Sequence, residues 1–185
     1  MLKNIRTAFS VFFLLILGGF LFVWVGNEVT FREELLTRSL PSGLYSIVEE
    51  KQDLLIDQAS EIGIEILITD GYRSPEEQDS LHGQGRTMSG SIVTYAEAGE
   101  SYHNYGLAID FALRLDDDSV VWDIERDDNG NGESDWFEVA MIGKNLGFDW
   151  GGDWQRFKDY PHLEMTFGLS IRDLQRGWRP EDKID

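Results

Sequence analysis

Histidine is scarce in this 185-residue chain, and two of its three copies stand where their neighbours could share chemistry with them. In SYHNYGLAID, residues 101–110, His103 precedes Asp110 across a glycine; in DYPHLEM, residues 159–165, His162 follows Asp159 by three positions and precedes Glu164 by two. Two imidazoles and a carboxylate, with a fourth position left for water, is the composition of a catalytic zinc site. The chain has no cysteine, which removes thiolate metal sites, cysteine nucleophiles and disulfides, so a metal must be held by His, Asp or Glu. Spacing alone leaves a second reading open, a polar turn followed by a strand, because H-x6-D arises by chance in many chains. The third histidine, His82, has no motif around it and reads as surface.

These residues need elements to hold them. Residues 44–62 place apolar positions among charged ones at helical spacing and end at Gly63, which predicts an amphipathic helix. IEILITD, residues 64–70, reads as a strand with Ile64, Ile66 and Ile68 on one face. RSPEEQ then supplies Ser74 as N-cap, Pro75 at the first helical position and Glu77 three residues after the cap, a capping box opening a helix to about Gly83. Residues 83–101 predict a long surface loop with a strand fragment at Ile92–Thr94. GLAIDFALRL, residues 106–115, alternates as a strand and puts Asp110 beside Ala108 and Ala112, where a charge needs a partner. Trp136 to Asn145 reads as a helix stopped by Gly147, and a last strand is expected around His162 to Phe167, with His162 and Glu164 on one face.

Composition narrows the classes further. At 21.2 kDa there is room for one domain with a proper core. A net charge of -18, from 34 acidic and 16 basic residues, excludes a phosphate-binding surface for nucleic acid. Residues 8–25, AFSVFFLLILGGFLFVWV, are uncharged and follow Lys3 and Arg6; eighteen residues at 1.5 Å each reach about 27 Å, just enough for a bilayer core. No small-x-small cleavage pattern follows, so residues 1–26 are expected to be an uncleaved membrane anchor, with the remainder outside by the positive-inside rule. Residues 27–43 then form a stem, bounded by Pro41, Ser42 and Gly43, and residues 44–178 the domain.

TDGYRSPEEQ (69–78), SYHNYGLAIDF (101–111) and GGDW followed by DYPHLEM (151–165) together resemble the zinc-dependent peptidoglycan peptidases of the D-Ala-D-Ala carboxypeptidase and L-alanyl-D-glutamate endopeptidase group. Relatives include the vancomycin-resistance D,D-peptidases and some phage endolysins. The likeness spans roughly residues 44–175, and its fold implies a small α+β domain, hedgehog-like, with a central antiparallel sheet and flanking helices. It implies one Zn2+ held by His103, Asp110 and His162, with Ser101 as a substrate contact and Gln78 touching the site. Asp159 takes the place of the family's general base, where the vancomycin-resistance relatives carry glutamate; Glu164 is the alternative carboxylate. Arg73 corresponds to the family arginine facing the scissile carbonyl, although by itself it could equally be a surface residue pairing with Glu76 or Glu77. The substrate implied is the stem peptide of peptidoglycan, the place the outer face of a bacterial cytoplasmic membrane, and a monomer is expected. GYRSPEEQ and the GGDW–DYPH block favour the endopeptidase branch over the carboxypeptidase branch.

A second pattern lies in DDNGNGESDWFE, residues 127–138, which matches D-x-[DN]-x-[DN]-G-x5-E. Asp127, Asn129 and Asn131 would supply oxygens at loop positions 1, 3 and 5, Glu133 a backbone carbonyl, Asp135 a direct or water-mediated contact and Glu138 both carboxylate oxygens to Ca2+. Ser134 stands where an apolar residue is usual, and a strand-like VVWDI precedes the loop in place of a helix, so a solvated acidic turn is the alternative. Two non-enzymatic functions also remain open: a wall-binding module with structural zinc, and a calcium-sensing surface protein.

Overall fold

The computed structural model describes the backbone of residues 2–183 and the side chains from residue 17. The chain divides into two compact units, residues 1–39 and 40–185. The first is one helix, α1 (Leu2–Thr37), so the segment expected as a stem is helical for most of its length. Phe20, Phe22 and Trp24 on α1 are exposed. Among the described residues no helix is long and apolar enough to cross a membrane; the side chains of the expected anchor up to residue 16 lie outside the described residues.

The second unit is built on a five-stranded antiparallel sheet, in the order β1 (Ile66–Asp70), β2 (Ala108–Arg114), β5 (His162–Glu164), β4 (Asp149–Trp150), with β3 (Val120–Val121) beside the end of β2. Strand β2 is central, and Ala108, Ile109, Phe111 and Ala112 are all fully buried, which is why this stretch carries apolar residues on both faces. Helix α2 (Ser46–Glu61) turns Val48, Leu55 and Ala59 inward, at the spacing of one helical stripe. Helix α4 (Asp135–Asn145) buries Trp136, Val139, Ala140 and Gly143. A Cβ on Gly143 would stand 3.0 Å from the Leu163 side chain, so the glycine lets α4 press against β5. Helix α3 (Pro75–Gly83) opens with the expected capping box between Ser74 and Glu77, and a short α5 (Ile171–Gln175) is capped in the same way by Ser170.

Residues 84–101 differ from expectation. No strand forms at Ile92–Thr94, whose side chains lie mostly in solvent; an isolated bridge pairs Gln84 with Met88 instead. The loop is tied down by side chains: Gln78 donates to Ala96 O at 2.7 Å, Tyr105 to Gly99 O at 3.0 Å, and the Arg86 guanidinium lies over the Tyr95 ring.

Candidate metal centre

The centre is assembled from one turn and two neighbouring strands. After β1 the chain runs into Arg73, whose amide donates to the His103 carbonyl, and His103 itself sits in a 3-10 turn, Tyr102–Tyr105. Ser101 caps that turn by accepting the His103 amide at 3.3 Å. Gly106 then leaves the turn with a φ of 67°, and a Cβ there would lie 2.2 Å from the Gly43 carbonyl oxygen, so only glycine passes the chain into β2. Three residues into β2, Asp110 is the register partner of His162 on β5.

Three ligand atoms meet there. His103 Nε2 is 3.3 Å from Asp110 Oδ1 and 3.2 Å from His162 Nδ1, and His162 Nδ1 is 3.1 Å from the same Oδ1. A tetrahedral ion with bonds of about 2.0–2.1 Å has ligand-to-ligand edges of roughly 3.3–3.4 Å, so this triangle fits zinc nearly without movement. The remaining imidazole nitrogens have their own acceptors: His103 Nδ1 donates to Gly71 O at 2.6 Å and His162 Nε2 to Glu164 at 2.8 Å. Each bond fixes the tautomer that leaves the inward nitrogen free to ligate. Among the described residues this is the one set of three His, Asp or Glu side chains whose ligand atoms all lie within 4.8 Å of one another.

The electrostatics follow from this crowding. Burial favours the neutral Asp110 carboxyl, but hydrogen bonds from His103 and His162 and their charges outweigh it and hold the acid well below the usual carboxylate range. Burial would lower the His162 pKa; the hydrogen bonds and charges of Asp110 and Glu164 override it and push the imidazole up to about 9. For Asp159 burial dominates and raises the pKa, with Asp110 adding in the same direction against His162, His103 and Arg73. The Asp159 carboxyl thus lies within the field of the centre, half-buried and biased toward holding a proton.

Asp159 is placed by close contact. Its carbonyl receives the His162 amide and its amide donates to Gly151 O, while a Cβ on Gly151 would come within 2.4 Å of the Asp159 carbonyl oxygen. The GGDW and DYPH stretches are therefore packed backbone against backbone. The Trp154 ring stands 5.2 Å from the His162 ring and forms a part-exposed wall of the site.

Arg73 is no surface arginine paired with Glu76 or Glu77. Its guanidinium is gripped by both Nε and Nη2 on Asp70 Oδ2 and by Gln78 Oε1 on Nη1 at 2.9 Å, which leaves Nη2 3.8 Å from Asp110 Oδ2. One expectation is corrected here. Gln78 is fully buried, with its amide shared between Arg73 and Ala96, so in this conformation it supports the arginine from behind and does not line open space. Glu164 is buried, and its Oε2 accepts from the outer nitrogen of His162. Asp70 lies inside the TDGYRSPEEQ stretch without being singled out by it; its further signal is its place at the end of a strand, three residues before the arginine. Half-buried, His82 is less exposed than expected.

The second set of residues is divided between the loop before α4, with Asp127, Asn129, Asn131 and Glu133, and the first turn of α4, with Asp135 and Glu138; Ser134 N-caps the helix and donates to Ile124 O.

Residues 94–165 match a family described as D-alanyl-D-alanine carboxypeptidase. Over 157 residues the chain is 54% identical to the peptidoglycan L-alanyl-D-glutamate endopeptidase CwlK of Bacillus subtilis, covering 85% of this chain and 94% of that protein. It is 34% identical to the L-alanyl-D-glutamate peptidase of Listeria phage A118 over 113 residues, 61% of this chain and 34% of the phage protein. In fold it is similar to an L,D-carboxypeptidase from Streptococcus pneumonia, with a TM-score of 0.50 at 21% identity over 79% of this chain and 83% of that one.

Proposed function

The chain belongs to the zinc-dependent peptidoglycan peptidases of the D-alanyl-D-alanine carboxypeptidase and L-alanyl-D-glutamate endopeptidase family, and on that premise we propose that it cleaves the L-alanyl-D-glutamate bond of the stem peptide. The observation that carries the choice of bond is 54% identity to an L-alanyl-D-glutamate endopeptidase over nearly that protein's whole length.

In this reading His103, Asp110 and His162 hold a zinc ion, which when bound polarises the scissile carbonyl and makes water acidic enough to act near neutral pH. Asp159 takes the proton of the attacking water; its raised pKa suits a group that must accept a proton and give it up again. As the C–N bond breaks, the same carboxyl returns that proton to the leaving amine, so the products are a carboxylate and a free D-glutamyl amine. Arg73, held by Asp70 and Gln78 with Nη2 next to Asp110, is positioned to donate to the carbonyl oxygen as negative charge builds on it. Ser101 contacts the substrate from the turn that carries His103. The N-terminal apolar run tethers the enzyme, as a monomer, to the outer face of the bacterial cytoplasmic membrane, supported by the uncharged residues 8–25.

The test uses the detergent-solubilised full chain, loaded with zinc, on purified peptidoglycan, with mass spectrometry of the released ends and Asp159→Asn as control. New D-glutamyl N-termini absent from the control are expected. Loss of terminal D-alanine would replace the proposal with a carboxypeptidase, the activity by which the matched family is described. No cleavage at stoichiometric zinc would leave a wall-binding module.

A further inference from the structure

We propose that residues 127–138 form a calcium site, separate from the His103–Asp110–His162 centre, and that its occupancy stiffens the segment carrying Asp159 and His162. The proposal does not depend on which bond the enzyme cleaves.

Oxygen groups from alternate positions converge in this loop. Asp127 accepts the amides of Asn131 and Gly132, at 3.1 and 3.0 Å, and the side-chain amides of Asn129 and Asn131 donate to the two oxygens of Glu138, at 3.0 and 2.8 Å. The carboxylate at position 12 thus already faces positions 3 and 5. Asn129 Oδ1 and Asn131 Oδ1 now accept the Asn131 and Glu133 amides, at 3.1 and 2.8 Å, so an arriving ion must turn both side-chain oxygens toward itself. The loop then offers Asp127, Asn129 and Asn131 side-chain oxygens, the Glu133 carbonyl and both Glu138 oxygens, a set that suits the six to eight oxygens of calcium better than a magnesium octahedron.

The independent sign of a missing ligand is Asp135, at position 9. It is only 2% exposed, and its Oδ1 is the one buried side-chain N or O atom among the described residues without a hydrogen-bond partner. Its Oδ2 accepts the Asp128 amide of the same loop at 2.8 Å, which ties the carboxylate to the loop backbone. A buried carboxylate oxygen with no donor is costly. A cation, or a water on it, supplies what is lacking.

The path to the metal centre is short. Asp135 and Glu138 lie in the first turn of α4, and Trp136 between them donates its indole N–H to Tyr160 O at 3.0 Å. Tyr160 follows Asp159 directly and stands two residues before His162. Fixing the helix start therefore fixes the strap that positions both.

The full-length, zinc-saturated protein is freed of calcium and titrated with CaCl2, MgCl2 and TbCl3, wild type beside Glu138→Gln and Asp127→Asn. Expected are one calcium per chain, a melting temperature raised by several degrees, slower amide exchange over residues 159–163, and saturable terbium emission excited through Trp136. Each variant should weaken binding at least about tenfold, with zinc content unchanged. Terbium emission from the wild type keeps the test open should a variant fold poorly. The proposal is overturned by no saturable response in the wild type, by equal responses in the variants, or by magnesium acting as well as calcium.

Discussion

Glu164 accepts the Nε2–H of His162 at 2.8 Å, and the other nitrogen of the same ring faces Asp110 at 3.1 Å. One imidazole is thereby shared between a triangle of candidate ligands and a buried carboxylate, and the two carboxylates nearest it in sequence stand differently toward it. Asp159 lies in the field of the centre without a fixed partner to the ring; Glu164 aims the ring. Glu164→Ala is expected to lower zinc affinity about 10–100-fold, the usual effect of losing a ligand's hydrogen-bond partner, with kcat largely restored at saturating zinc. Asp159→Asn should do the reverse: unchanged zinc affinity and kcat down by about 10²–10⁴. Chelator competition and steady-state kinetics on the same two variants separate the roles, and an Asp159→Asn enzyme with full kcat would remove it as the base.

The grip on Arg73 gives a second prediction. Asp70 holds two of its nitrogens and Gln78 a third, so the guanidinium is a fixed fork, not a mobile point charge. Arg73→Lys keeps the charge and loses that geometry. It should cost about 10²-fold in kcat, comparable to losing an oxyanion donor, while KM changes little. Gln78→Leu, which leaves Asp70 in place, should cost less than Arg73→Lys. If Arg73→Lys is as active as wild type, the fork has no part in the reaction.

The pH dependence has a definite sign. His162 has a folded pKa raised to about 9 from an ordinary 6.5, so in metal-stripped protein its protonated form adds stability that is complete below pH 6.5 and is lost as pH rises through about 9. The melting temperature of stripped protein should therefore fall across that window. Zinc competes with the same proton, so zinc affinity should rise over the same range and the zinc-loaded protein should not show the fall. Calorimetry of the two forms from pH 6 to pH 9.5 checks this, and parallel curves would show that His162 is not the shared group.

What could be seen in the sequence was what local rules govern. The ligands His103, Asp110 and His162 stood out because their motifs combine a residue type that chemistry needs with a turn glycine that backbone geometry needs, and the structure brings all three into one triangle. The capping box at Ser74 and the apolar β2 were legible for the same reason. Pairings between distant segments were not. Gln78 sits on a helix that looks solvated until the loop at Ala96 covers it, and Arg73 comes near Asp110 only because β1 ends beside β2. The strand expected at Ile92–Thr94 had the right residue types, but the loop around it is held by side-chain contacts of Gln78, Tyr105 and Arg86 and pairs with no strand. Glu164 had left a usable sign, since alternate residues on a strand share a face, but that pattern does not say whether the neighbour aims a ring or moves a proton.

The contact between Gly151 and Asp159 makes the last prediction. Gly151 needs no unusual φ; the constraint is space, because a methyl group there would press on the Asp159 carbonyl oxygen at 2.4 Å and on its Cβ at 3.0 Å. Both are close to the backbone, so the strand entry must move. That carbonyl also receives the His162 amide, so the displacement reaches the proposed base and a proposed metal ligand together. Gly151→Ala should destabilise the fold by about 1–3 kcal/mol, as overpacking does, and lower both zinc affinity and kcat. Gly168→Ala is the control: its φ of 72° strains any side chain, but nothing lies within 4 Å of the added methyl. It should cost stability without touching zinc affinity. Equal effects of the two on zinc binding would mean that general loosening, not the Gly151 contact, governs the site.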